Sequence, residues 1–100
     1  MWKSWLRSLI AAPPSHVESL RPLQGEVWLR CTHPKCAHCQ DFEAEGKKAA
    51  FEADKAHVVD WDCSQPAQRQ VAKQAGVADL PAYVKVPSRG RPIEVVTPAR

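Results

Sequence analysis

The chain has 100 residues, 44% hydrophobic and 25% charged, with a formal net charge of +3. That length allows one domain with a single modest core. The basic residues, Arg89, Arg91 and Arg100 among them, form no run of like charge, which gives no reason to invoke nucleic acid, and no stretch approaches the ~20 apolar residues of a membrane-spanning helix.

Trp2, Trp5, Leu6, Leu9 and Ile10 recur at helical spacing, with Lys3, Ser4, Arg7 and Ser8 opposite, so the chain is expected to begin with an amphipathic helix. Pro13-Pro14 stops it, and residues 1–14 are read as a segment apart from a domain over 15–100. Lys3 and Arg7 interrupt any signal-peptide core, so a cytoplasmic protein is expected. Ser15 can cap a short helix from His16 to about Leu23, closed by Gly25. The run Glu26-Val27-Trp28-Leu29-Arg30-Cys31 is the first expected strand.

The loop Thr32-His33-Pro34-Lys35 leads to Cys36-Ala37-His38-Cys39, which opens a helix running to about Asp54 with Cys39, Phe42, Gly46, Ala49, Ala50 and Ala53 inward. His57 to Cys63 has strand composition. Ser64 and Pro66 supply cap and first-turn signals for a helix carrying Val71, Ala72 and Ala75, which Gly76 ends. Ala82 to Val86 and Ile93 to Val96 flank a turn at Pro87-Ser88-Arg89-Gly90, a hairpin by composition and spacing. A parallel βαβ unit followed by an antiparallel hairpin gives an α/β fold with a mixed sheet flanked by helices.

Two thiols three positions apart at a helix start lie within reach of each other, and the positive helix end favours thiolate on the first. That is the chemistry of a dithiol/disulfide switch. The same cysteines permit another reading: Cys31-x4-Cys36-x2-Cys39 with Cys63 has the spacing of a plant-type iron-sulfur site, and His33 and His38 can complete a zinc site with the thiols. A third is a non-catalytic protein-interaction module with the N-terminal tryptophans as anchors. Four cysteines are too few for a disulfide-stapled secreted fold. Cys31 and Cys63, expected on neighbouring strands, read as small buried residues or as a second, regulatory pair. His16 and His57 read as structural or solvated, and His33 as an accessory at best.

A Cys-x-x-Cys after the first strand of a βαβ unit, followed by Gly76-Val77-Ala78-Asp79-Leu80-Pro81 and a Gly90 hairpin turn, resembles the thioredoxin family over about residues 16 to 96. The resemblance implies a thioredoxin-like fold and a thiol-disulfide oxidoreductase without a cofactor. Cys36 would be the nucleophile and Cys39 the resolving thiol. Leu80 would offer backbone groups to an extended substrate beside a cis Pro81, and Tyr83 would pack. Its partners would be protein disulfides and a recycling reductase or oxidase.

Several positions depart from the family pattern. Lys35 replaces the tryptophan before the first cysteine, Ala37-His38 replaces Gly-Pro, and Arg30 stands where a buried acid is usual, leaving Asp60 or Asp62 to approach the second cysteine. Lys35 and His38 are the expected tuning residues. A histidine at this position also occurs in strongly oxidising relatives, so a more oxidising couple than ordinary thioredoxin is expected. Thr97 to Arg100 alone follow the last expected strand, so no counterpart of the family's last helix is expected within these residues. An uncovered apolar sheet face is therefore expected, to be filled by Trp2, Trp5, Leu6, Leu9 and Ile10 folding back, or docking on a second copy, another protein or a membrane surface.

Overall fold

The computed structural model describes residues 16–98. The N-terminal stripe and the expected boundary at residue 14 lie outside the described residues. A 3-10 turn at Val17–Leu20 precedes β1 (Glu26–Thr32), α1 (Ala37–Ala44), α2 (Lys47–Glu52), β2 (Val58–Asp62), α3 (Pro66–Ala75), β3 (Ala82–Pro87) and β4 (Glu94–Val96). The fold is α/β, with one sheet in the order β2-β1-β3-β4. β1 runs parallel to β2 and antiparallel to β3, and β3 antiparallel to β4. No helix among the described residues is long and apolar enough to cross a membrane.

The alternation along β1 divides the sheet into two unlike faces. Leu29 and Cys31 point to one side, where Trp61, Val84 and Val86 join them beneath Val71 and Ala72 of α3 and Val17 of the 3-10 turn. Leu29, Val71, Val84 and Val86 are each at most 1% exposed, and burial of such side chains contributes about 1.5 to 3 kcal/mol apiece. Trp28 and Arg30 point the other way, in register with Lys85 and Tyr83 of β3. There the packing is aromatic: Tyr83 meets Phe42 of α1 at 6.2 Å and Phe51 of α2 at 4.3 Å between ring centroids, and Trp28 meets Phe51 edge-on at 6.0 Å.

The expected apolar gap on the sheet is not what the described residues display. On the Trp28 face, Lys85 lies 3.8 Å from Glu26 and 3.6 Å from Glu94, the Trp28 indole N–H donates to Glu26 at 2.7 Å, and the Lys55 ammonium stands 3.8 Å over the Phe51 ring. Charged side chains close this strip, because β1 places Glu26, Trp28 and Arg30 on it together.

The single helix expected to run to about Asp54 is broken. Glu45 ends α1, and Gly46 adopts φ 76°, a left-handed conformation that suits glycine, before α2 begins. The break resets the helical phase, so Ala49, Ala50 and Ala53 are exposed and Phe51 turns inward instead. The helix expected over His16 to Leu23 contracts to the 3-10 turn, and Leu23 is fully exposed. The N-cap of α3 is Gln65, not Ser64, whose hydroxyl donates to Asp62 Oδ1 at 2.7 Å.

Candidate active site at the end of the first strand

β1 delivers the chain to a tight loop that the backbone closes on itself. The Cys36 N–H donates to His33 O at 3.0 Å, the Lys35 N–H to His33 Nδ1 at 3.0 Å, and the Gln40 side-chain amide to Pro34 O at 3.1 Å. This leaves Cys36 as the N-cap of α1 in extended conformation, φ −87° and ψ 112°. Its sulfur takes the place a serine or aspartate oxygen usually holds at a cap, accepting from the Cys39 N–H at 3.2 Å.

Opposite the cap, Gly76 ends α3 with φ 105° and the Val77 N–H returns to Ala72 O at 3.0 Å, which turns the chain toward β3. The Leu80–Pro81 peptide bond at the start of β3 is cis. Pro81 is buried, Leu80 half-buried, and the Cys36 thiol points to Leu80 O at 3.8 Å. Residues 44 positions apart thus meet, with Cys36 half-buried and Cys39 only 8% exposed. Burial, reinforced by the hydrogen-bonded Cys36 beside it, pushes the Cys39 thiol up to about 12. The expected tuning side chains stay outside this geometry: Lys35 and His38 are exposed and hydrogen-bond neither thiol.

Arg30, standing where the resemblance implies an acid, is answered by carboxylates from two elements. Its Nε and Nη2 donate to Glu52 of α2 at 2.6 and 2.8 Å, and its Nη1 to Asp60 of β2 at 2.9 Å. Tyr83 donates its hydroxyl to the same Glu52, which accounts for a buried tyrosine with no unmet polar atom. Glu52 was not anticipated from the sequence, although a charged residue inside a strand signals a partner somewhere. Asp60 and Asp62 do share an open cavity of about 420 Å³ with Cys39 and Arg30. Each is committed elsewhere, Asp60 to Arg30 and Asp62 to the Ser64 N–H and hydroxyl.

The cysteines fall into two sets. Cys36 and Cys39 open α1, whereas Cys31 and Cys63 lie in the core on the α3 side; all four are free. Among the described residues no three His, Cys, Asp or Glu side chains gather to hold a metal ion. The described structure therefore gives the iron-sulfur and zinc readings no site.

A mixed sheet with this strand order, a cysteine pair capping the helix after β1 and a cis proline opposite define a thioredoxin-like domain. Solved structures agree on the fold. The J-Trx1 fragment of ERdj5 has a TM-score of 0.56 at 19% identity, over 75% of this chain and 36% of that one. The germline-specific thioredoxin Deadhead of Drosophila melanogaster has a TM-score of 0.55 at 19% identity, over 77% and 71%. A thioredoxin from Thermus thermophilus has a TM-score of 0.56 at 14% identity, over 76% and 64%. The sequence matches no protein-family model and no curated protein.

Proposed function

We propose that the chain is a thiol-disulfide oxidoreductase acting on protein disulfides in the cytoplasm, with Cys36 as nucleophile and Cys39 as resolving thiol. The observation that carries this reading is the position of the Cys36 sulfur, which accepts from the Cys39 N–H at 3.2 Å while facing Leu80 O at 3.8 Å beside a cis proline. Cys36 thiolate attacks one sulfur of the substrate disulfide and the other leaves as a thiolate. Cys39, losing its proton, then attacks the Cys36 sulfur of the mixed disulfide, releasing the second substrate thiolate. Two electrons have passed to the substrate, and Cys36–Cys39 is oxidised. An extended substrate segment lies along Leu80, whose half-buried backbone borders the nucleophile. A reductase or oxidase of the same thiol chemistry resets the pair.

Reduction of insulin disulfides with dithiothreitol as the electron source tests the proposal. Wild-type protein accelerates precipitation of the insulin B chain and Cys36→Ser does not; a Cys36→Ser rate equal to wild type overturns the mechanism.

A further inference from the structure

Cys31 and Cys63 have no part in that chemistry, yet their placement is not that of two scattered core residues. Cys31 is aligned with Trp61 across the parallel β1–β2 pair, and Cys63 lies two residues beyond Trp61, so both thiols face the same side of the sheet. The Cys63 N–H donates to Thr32 O at 2.8 Å, which holds the end of β2 against the residue following Cys31. Both belong to one buried cluster. Cys31 is wholly enclosed at 0% exposure, whereas Cys63 keeps 4% and forms part of the wall of an open depression of about 190 Å³.

That depression adjoins the Cys36 site without coinciding with it. Ala72, Val77, Ala78 and Leu80 give it an apolar lining, and the exposed cations Arg69 and Lys73 also line it. Leu80 belongs to both sites, lining the depression while its carbonyl faces Cys36. The depression thus presents a sulfur, a short apolar surface and two positive charges, which together fit a small disulfide carrying carboxylates. We propose that Cys63 and Cys31 form a second dithiol site, in which Cys63 attacks a small carboxylate-bearing disulfide and Cys31 resolves the adduct.

The division of roles follows from position. Cys63 lines the depression while Cys31 is enclosed behind it, so Cys63 alone can meet a disulfide first. The Cys31 thiol and Arg69 favour the Cys63 thiolate against burial and the Asp62 carboxylate, and Cys31 is pushed the other way. Cys63 thiolate attacks one sulfur of the small disulfide R–S–S–R, forming Cys63–S–S–R and expelling RS⁻. Cys31, giving up its proton, attacks the Cys63 sulfur and expels the second RS⁻, leaving a Cys31–Cys63 disulfide. The protein loses two electrons and two protons, and the small disulfide becomes two thiols. Cys63 is the first residue past β2 and Cys31 lies within β1, diagonally across the β1–β2 pair, so closing the bond draws the end of β2 back along β1.

The experiment removes the first pair, so its outcome is independent of the function proposed above. Cys36→Ser/Cys39→Ser protein, confirmed folded by circular dichroism, is reduced and exposed to glutathione disulfide. It is then quenched in acid, unfolded, alkylated and mapped by mass spectrometry. The expected product is a Cys31–Cys63 disulfide, and with Cys31→Ala added, a glutathionyl adduct on Cys63. Arg69→Ala/Lys73→Ala slows the reaction with glutathione disulfide about tenfold more than that with the uncharged hydroxyethyl disulfide. Full alkylation of both thiols after exposure, an adduct on Cys31, or equal slowing with both disulfides overturns the proposal.

Discussion

Arg30 grips Glu52 with two nitrogens, at 2.6 and 2.8 Å, and joins a β1 strand residue to the last turn of α2 across the aromatic layer of Phe42, Phe51 and Tyr83. Both side chains are largely enclosed, 17% and 16% exposed. Arg30 holds the Glu52 carboxyl below its ordinary 4.5, with burial opposing and the Tyr83 hydroxyl assisting. A lowered carboxylate contributes stability that is present above 4.5 and lost as pH falls through the folded value. Glu52→Gln leaves Arg30 with Asp60 alone and should cost about 2 kcal/mol at pH 7. Urea unfolding of both proteins at pH 7 and pH 3 checks the sign: the gap between them should shrink at the lower pH.

Gly46 is the point at which the helix after the cysteine pair breaks, at φ 76° with open space around the position of a Cβ. A side chain there meets no neighbour, so the cost of Gly46→Ala is conformational, about 1 to 2 kcal/mol for a left-handed residue. Thermal unfolding should register that loss, while insulin reduction at 25 °C stays near wild type, because Cys36 and Cys39 lie at the far end of α1.

The site was more legible than the layer that supports it. The cysteine pair sits in the first turn of a helix, where a cap position follows from local order alone, and Gly76 and Pro81 punctuate the chain in ways that need no tertiary knowledge. The break at Gly46 was hidden because alanines continued an inward stripe past it, and alanine carries little information about which way a helix faces. Glu52 was hidden because its partner lies 22 residues away on another element, a pairing set by topology. The polar strip along Glu26, Lys85 and Glu94 was within reach: Glu26-Val27-Trp28-Leu29-Arg30-Cys31 places Glu26, Trp28 and Arg30 on one face and Val27, Leu29 and Cys31 on the other.

Cys39, 8% exposed and with its thiol pushed up to about 12 by burial, is almost wholly protonated at neutral pH in the reduced protein. The half-buried Cys36 sulfur faces the loop and Leu80. Iodoacetamide at pH 7 should therefore modify Cys36 at least about tenfold faster than Cys39, as alkylation follows thiolate fraction and access. Timed quenching and peptide mapping measure the two rates; equal rates would mean that Cys39 is not enclosed in solution.

His38 poses the sharpest question about direction of exchange. It is exposed, one residue before Cys39 in the first turn of α1, and hydrogen-bonds neither thiol, so any influence on the couple must pass through its charge and dipole. A group that stabilises the reduced, thiolate form makes the couple more oxidising. The potential of Cys36–Cys39 should therefore lie above the about −270 mV of thioredoxin, and His38→Ala should move it downward by about 30 mV for each tenfold loss of thiolate stabilisation. Equilibration with glutathione buffers, read by acid-quenched alkylation, gives both values. To keep the reading clean, the measurement is made in a Cys31→Ala/Cys63→Ala background, so that one couple alone is titrated. A potential at or below that of thioredoxin, unchanged in His38→Ala, would leave reduction of substrate disulfides as the favoured direction.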